Sequence, residues 1–67
     1  MTERILRRPE VELVTGISRS TIYEKMNPKS AYFDASFPTP VRLGPKSVGW
    51  KETEIQSWIS TLSEVAA

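Results

Sequence analysis

The sequence predicts a mainly α-helical domain with a small β-hairpin. Three observations lead to this fold class: two short helical segments flank a glycine-containing turn, residues 41–50 alternate apolar and polar positions around a Gly-Pro turn, and a longer helical pattern closes the chain. The predicted order is helix, turn, helix, loop, two-stranded wing, C-terminal helix. That order is the layout of a winged helix-turn-helix.

Composition limits what these elements can build. The 67 residues allow one domain, expected to span 1–67, and a chain of this length buries only about 60% of its unfolded surface. The absence of cysteine and histidine excludes disulfide bonds and the usual zinc sites, so we expect no metal and no cofactor. Because no apolar run is long enough to span a membrane and the N-terminus lacks a signal-peptide core, we expect a cytoplasmic protein without a membrane partner.

Charge is unevenly distributed, although the net charge is only +1. All nine Lys and Arg lie in residues 1–51 together with five acids, which gives +4, whereas residues 52–67 hold three acids and no base, which gives −3. The asymmetry favours one charged working face. Acids that merely stabilise the start of a helix would produce the same pattern without a function.

Local signals define the first two helices. Helix 1 is expected from Pro9 to Thr15, because proline suits the first turn and Gly16 is a typical helix terminator. Helix 2 is expected from Arg19 to Met26, with Ser18 as its N-cap and an Asn-Pro pair at its end. The residues expected on their apolar faces are Val11, Leu13, Val14, Ile17, Ile22 and Met26.

The rest of the chain is read as a loop, a hairpin and a helix. The loop, residues 27–39, is expected to be pinned by Tyr32, Phe33 and Phe37, with room for one helical turn. Residues 41–43 and 48–50 form the two strands, each with one buried face, around turn residues 44–47. The final helix carries an apolar stripe of Ile55, Trp58, Ile59, Leu62 and Val65 or Ala66.

The start of helix 2 is the first candidate for a binding site. Free N–H groups at a helix N-terminus attract phosphate, and Arg19, Ser20 and Thr21 add side chains that read phosphates and base edges. In a helix-turn-helix, these are the positions that reach bases in the major groove. An ordinary capped and solvated helix start would carry the same residues.

The exposed surface of helix 2 extends the candidate site. With the apolar residues directed inward, a rotation of ~100° per residue turns Ser20 and Glu24 away from the core and places Thr21, Tyr23 and Lys25 on the flanks. Tyr23 is as well suited to packing against the domain as to contacting a ligand. The wing offers a second contact, because its Gly-Pro tip lies among Arg42, Lys46 and Ser47 and would reach the minor groove or the backbone. A solvated hairpin with exposed bases is the alternative.

The sequence resembles the AlpA family of small prophage regulators, which are related to MerR-like and excisionase-like winged-helix proteins. The resemblance covers nearly the whole chain and rests on "LRRPEVELVTGISRSTIYEKM", "FPTPVRLGPKSVGW" and "WKETEIQSWI". It implies a DNA-binding transcriptional regulator of a mobile element that acts on integrase expression or excision. The sequence departs from the family in its long "NPKSAYFDAS" connection and in Glu24, where a base is frequent.

The resemblance also implies roles for individual residues. The recognition-helix contacts would be Ser18, Arg19, Ser20, Thr21 and Tyr23. The wing contacts would be Arg42, Lys46 and Ser47, whereas Trp50, Trp58 and Ile59 would be core residues.

Two other classes of function fit the sequence less well. An enzyme is not favoured, because Glu52 and Glu54 diverge by ~200° on a helix and cannot share a proton. The "GPKS" stretch resembles the end of a phosphate-binding loop but lacks the preceding glycine. A protein-interaction module would use the stripe of the last helix, although a small core needs that stripe for itself.

The expected partner is therefore double-stranded DNA, with a second copy of the chain or a recombinase as further partners and no small-molecule substrate. The protein would then be associated with the nucleoid. A transcriptional regulator and a DNA-bending excision factor use the same fold and face, so both functions stay open.

Overall fold

The chain adopts the predicted order of elements with one additional strand. The computed structural model describes residues 3–65. The elements are β1 (Ile5–Leu6), α1 (Arg8–Thr15), α2 (Arg19–Met26), β2 (Val41–Gly44), β3 (Ser47–Lys51) and α3 (Glu52–Ser60). These elements form a mainly α-helical winged helix-turn-helix, which confirms the predicted fold class.

Helix α1 begins at Arg8, one residue before the predicted start, and ends where it was expected to end. Gly16 follows with φ = 74°, the left-handed conformation that glycine adopts without strain. The predicted apolar face of this helix was partly wrong. Val11 is fully buried, but Leu13 is 86% and Val14 42% exposed. Leu13 lies about 200° around the helix from Val11 and therefore faces solvent.

Helix α2 has the predicted bounds and the predicted cap. The Ser18 Oγ accepts a hydrogen bond from the Thr21 backbone N–H at 3.3 Å. Ile22 is fully buried, and Ile17 and Met26 pack against the core as partly buried side chains. Burial of these three residues fixes which side of α2 faces solvent.

The wing belongs to a three-stranded antiparallel sheet with the order β1-β3-β2. The sequence predicted only two strands and missed β1, whose Leu6 pairs with Trp50. The expectation of one buried face on each wing strand was also wrong near the tip, where Leu43 is 47% and Val48 41% exposed. An irregular register between Arg42 and Gly44 interrupts the alternation of faces there.

Gly49 occupies a point in β3 where no side chain fits. A Cβ at this position would lie 2.5 Å from Ile5 Cγ2 and 3.0 Å from the Leu6 carbonyl oxygen. We therefore expect Gly49→Ala to push β1 away from β3 and to lower the free energy of unfolding by about 1–3 kcal/mol in urea titrations. Gly44→Ala is the matched control, because the nearest atom would be 4.0 Å from its Cβ. Equal losses in both variants would contradict this account of the sheet.

Only one of the three aromatic residues expected to pin the loop does so. Phe37 is 6% exposed and meets the Trp58 ring edge-to-face, with centroids 5.0 Å apart. Phe33 is 43% and Tyr32 71% exposed, so the prediction that they anchor the loop was wrong. The loop consists of turns and contains no helix.

Polar contacts supply the remaining anchors of the loop. The Trp50 Nε1 donates to the Pro38 carbonyl oxygen at 3.1 Å, and the Trp58 Nε1 donates to Asp34 Oδ2 at 3.3 Å. The Ser36 hydroxyl donates to Asp34 Oδ1 at 2.6 Å. Hydrogen bonds from Ser36, supported by the one from Trp58, hold the pKa of Asp34 below its usual value. The loop therefore follows a defined path from α2 to the wing.

Helix α3 is shorter than its sequence pattern predicted. The hydroxyls of Ser60 and Thr61 donate to carbonyl oxygens three residues earlier, at 2.7 and 2.6 Å, and so satisfy the end of the helix. Leu62 and Val65, predicted to be part of the buried stripe, are 56% and 94% exposed. Ala66, the other candidate for that stripe, lies outside the described residues.

The core lies between the helices and the central strand. Its buried side chains are Leu6, Val11, Ile22, Phe37, Trp50, Ile55 and Trp58. The assignment of Trp50 and Trp58 to the core is confirmed, and Ile59 packs against this cluster as a partly buried residue.

Candidate nucleic-acid interface

The N-terminal turn of α2 presents a cluster of hydroxyl groups to solvent. The Ser18 Oγ lies 2.9 Å from the Thr21 Oγ1 and 3.4 Å from the Ser20 Oγ. No acidic residue occupies this turn of α2. Hydroxyls that can donate or accept therefore surround the positive end of a helix dipole, an arrangement suited to phosphate oxygens.

Arg19 and Tyr23 form a second part of the same surface. The guanidinium carbon of Arg19 lies 5.9 Å from the centre of the Tyr23 ring, which is a cation–π contact. Tyr23 is 46% exposed, so packing against the core does not account for it. Among residues 3–65, Arg19 has no carboxylate within 4.0 Å of its guanidinium. The guanidinium is thus available for an external acceptor.

A basic cleft separates α2 from the wing. Tyr23 of α2 and Lys46 of the wing line it together with Arg7 and Arg8, which precede and open α1. Its other lining residues are Pro9, Val48 and Trp50, so no acidic side chain lines this cleft. We use the name basic cleft for this cavity, whose polar lining consists of Arg7, Arg8, Tyr23 and Lys46.

The bases of the cleft differ in how their charge is balanced. Arg8 forms an ion pair with Glu12 one turn along α1, and both side chains are 30% exposed. Within the described part of the chain, neither the Arg7 guanidinium nor the Lys46 ammonium has a carboxylate within 4.0 Å, although the Arg7 backbone N–H donates to Glu10 Oε1 at 3.0 Å. Sequence reasoning missed Arg7 and Arg8 as site residues. The available signal was the Arg-Arg-Pro run at the start of helix 1.

The wing residues predicted for the site lie close together around its turn. The Arg42 Nη1 donates to the Pro45 carbonyl oxygen at 3.1 Å and so braces the tip. Lys46 is exposed at the turn, and Ser47 opens β3 as a half-buried residue. Of the three, Lys46 is the one that reaches the basic cleft.

Lys25 is the predicted site residue that the structure places apart from the others. Its Nζ lies 5.6 Å from the centre of the Trp58 ring. It lines a groove with Phe33, Asp34 and Phe37, away from the lining of the basic cleft. The remaining predicted residues surround the exposed side of α2 or the tip of the wing.

Residues 3–65 lack two other kinds of site. They contain no cluster of three or more His, Cys, Asp or Glu side chains that would hold a metal ion. No helix in that range is long and apolar enough to cross a membrane.

Together, the fold and the basic surface define a winged helix-turn-helix protein with a face suited to nucleic acid. The family described as "Prophage CP4-57 regulatory protein (AlpA)" matches residues 4–63. The chain belongs to this AlpA family of prophage regulatory proteins, which confirms the resemblance seen in the sequence.

Two relatives are similar over most of the chain. The first is the "DNA-binding transcriptional activator AlpA" of Escherichia coli (strain K12), 56% identical over 57 residues that cover 85% of this chain and 81% of that protein. The second is the "Uncharacterized protein ORF88" of Enterobacteria phage P4, 43% identical over 58 residues that cover 87% of this chain and 59% of that protein. No solved structure gives a significant match.

Proposed function

We propose that the chain is a sequence-specific DNA-binding transcriptional regulator of a prophage or related mobile element. The observation that carries this proposal is the exposed start of α2 beside the basic cleft, where a hydroxyl cluster lies together with Arg19, which has no carboxylate partner among residues 3–65. The naming of the Escherichia coli relative as a DNA-binding transcriptional activator supports it. Membership of a family of regulatory proteins agrees with the prediction that the chain is not an enzyme.

In the proposed complex, α2 enters the major groove with its N-terminus toward the bases. A guanidinium binds the O6 and N7 atoms of guanine through two parallel hydrogen bonds, which suits Arg19 to base reading. The hydroxyls of Ser18, Ser20 and Thr21 would donate to phosphate oxygens or base edges. These residues would supply most of the sequence preference.

The basic cleft and the wing would bind the DNA backbone. Arg7 and Lys46 approach the cleft from different elements, so one phosphate strand that follows the cleft would meet both cations. Such contacts release counterions from DNA and make affinity depend on salt rather than on sequence. Arg42 and Ser47 would add contacts at the wing tip.

Lys46→Ala should therefore lower affinity for all duplexes to a similar degree. The slope of log affinity against log salt concentration should fall by about one unit, because one phosphate contact is lost. Fluorescence anisotropy across a salt series measures this slope. An unchanged slope would show that Lys46 makes no phosphate contact and would contradict the proposed role of the wing.

The alternative that α3 is a protein-interaction surface is not favoured. Ile55 is fully buried and Trp58 is 5% exposed, so the apolar stripe of α3 already lies against the domain's own core. A second copy of the chain or a recombinase would have to contact other surfaces. The proposed DNA-binding role would place the protein in the cytoplasm, at the nucleoid.

The biological target is proposed to be integrase expression or excision of the element. Deleting the gene from a host that carries the element should lower both the integrase transcript and the excision frequency. Supplying integrase from an independent promoter then separates the two roles. Restored excision indicates a transcriptional regulator, and continued failure indicates an excision factor. An unchanged transcript with unchanged excision would contradict both.

A further inference from the structure

The first half of the long loop folds back onto α2. The Asp34 backbone N–H donates to the Lys25 carbonyl oxygen at 3.0 Å, and the Ser30 hydroxyl donates to the Glu24 carboxylate. The same Ser30 Oγ accepts from the Tyr32 backbone N–H at 3.0 Å. Residues 30–34 are therefore tied to the helix at two places and are positioned with respect to its exposed side.

This arrangement places an exposed aromatic ring beside the start of α2. Tyr32 is 71% exposed and lines a depression with Ser20, Thr21 and Glu24. The ring lies largely outside the core, so burial does not explain an aromatic residue at this position. Ser20 and Thr21 are two of the proposed DNA contacts, which brings the Tyr32 ring to the edge of the same surface.

The loop and the wing meet α2 on different sides. The wing side is marked by Tyr23, which shares the basic cleft with Lys46. The loop side is marked by Thr21, which shares the depression with Tyr32. Thr21 and Tyr23 are two positions apart and therefore ~200° apart around the helix, so the wing and the loop lie toward separate flanks of its exposed face.

A helix in the major groove has a sugar-phosphate backbone on each side, across a groove about 12 Å wide. We infer that Tyr32 is a further DNA-contact residue, whose phenolic O–H donates to a phosphate on the backbone opposite the one bound by the wing. The assignment rests on the proposed DNA-binding function. Tyrosine hydroxyls are among the groups that make such positioning contacts.

Glu24 and Ser30 act as positioning residues in this arrangement. The Ser30 hydroxyl bonds the Glu24 carboxylate, and the same oxygen accepts from the backbone of Tyr32. Glu24 thus supports the loop that carries the phenol.

The assignment is tested with Tyr32→Phe, which removes the hydroxyl and keeps the ring. The probe is a duplex recovered by selection from a random pool, and the readouts are affinity and phosphate-ethylation interference. We expect a roughly three- to tenfold loss of affinity on selected and unrelated duplexes alike, as for one hydrogen bond. Interference should disappear at one phosphate, on the opposite side of the groove from the phosphate lost with Lys46→Ala.

Tyr23→Phe is the matched control, because it removes the same hydroxyl from the wing side and should leave the Tyr32 phosphate unchanged. Unfolding in urea should be the same for Tyr32→Phe and the wild type, since the ring is 71% exposed. Unchanged affinity and interference, or a lost phosphate on the wing side, would overturn the Tyr32 assignment alone. A wild-type chain that binds no duplex would overturn the proposed function as well.

Discussion

Trp58→Ala should lower the free energy of unfolding by about 3–5 kcal/mol, the usual cost of removing a large buried aromatic side chain. Trp58 is 5% exposed and joins α3 to the loop through the Phe37 ring, with centroids 5.0 Å apart, and through a hydrogen bond of 3.3 Å to Asp34. Whole domains are stable by only about 5–15 kcal/mol. For a chain of 67 residues, we expect the variant to be largely unfolded at room temperature.

Circular dichroism with urea titration measures this effect. Trp58→Phe keeps an aromatic ring and loses the N–H donor, so it should lie between the alanine variant and the wild type. Leu62→Ala is the exposed control, because that side chain is 56% exposed beyond the end of α3 and should cost little. A folded Trp58→Ala protein that lost only binding to a partner protein would make α3 an interaction surface instead.

Arg19→Ala should weaken binding to the target duplex by about 1–3 kcal/mol and weaken binding to unrelated DNA much less. The reason is that a bidentate hydrogen bond to guanine distinguishes bases, whereas a contact with phosphate does not. Arg19 is suited to the first role because it lies at the exposed start of α2 and has no carboxylate partner among the described residues.

Affinities for the target and for a scrambled duplex at one salt concentration test this expectation. Arg19→Lys retains the charge but not the planar pair of donors, so its specificity should also fall. Arg42→Ala provides a comparison from the wing, where loss should be similar on both duplexes. Equal losses of affinity for Arg19→Ala on the two duplexes would show that Arg19 contacts phosphate and does not read a base.

The parts of the fold that follow from local signals were predicted from the sequence. The N-cap Ser18 and the left-handed Gly16 each act within a few residues, so the bounds of α2 and the end of α1 were correct. Strand β1 has only two residues and exists because Leu6 pairs with Trp50, far along the chain. No periodic pattern can reveal a strand of that length.

The end of α3 and the loop show a different limit. Leu62 continues the helical spacing, but the hydroxyls of Ser60 and Thr61 bond back to the helix and compete with its continuation. Tyr32 and Phe33 were expected to pin the loop together with Phe37, but both are exposed. Their exposure depends on how the loop is tied to α2, which composition does not encode.

The candidate site was likewise predicted only in part. The residues at the start of α2 are neighbours in sequence, so the pattern identified them. The basic cleft joins Arg7 to Lys46 across most of the chain, and only the sheet and α1 bring them together. The Arg-Arg-Pro run suggested a helix start but carried no information about what would lie opposite.

Selection of bound duplexes from a random DNA pool, performed in parallel for the wild type and Arg19→Ala, tests the central claim most directly. The account predicts a defined motif with a guanine for the wild type, a steep dependence of affinity on salt, and relaxed preference at that guanine for the variant. A motif that is unchanged in Arg19→Ala would contradict the proposed role of α2. Failure of the wild type to bind any duplex at low salt would contradict DNA recognition by this chain.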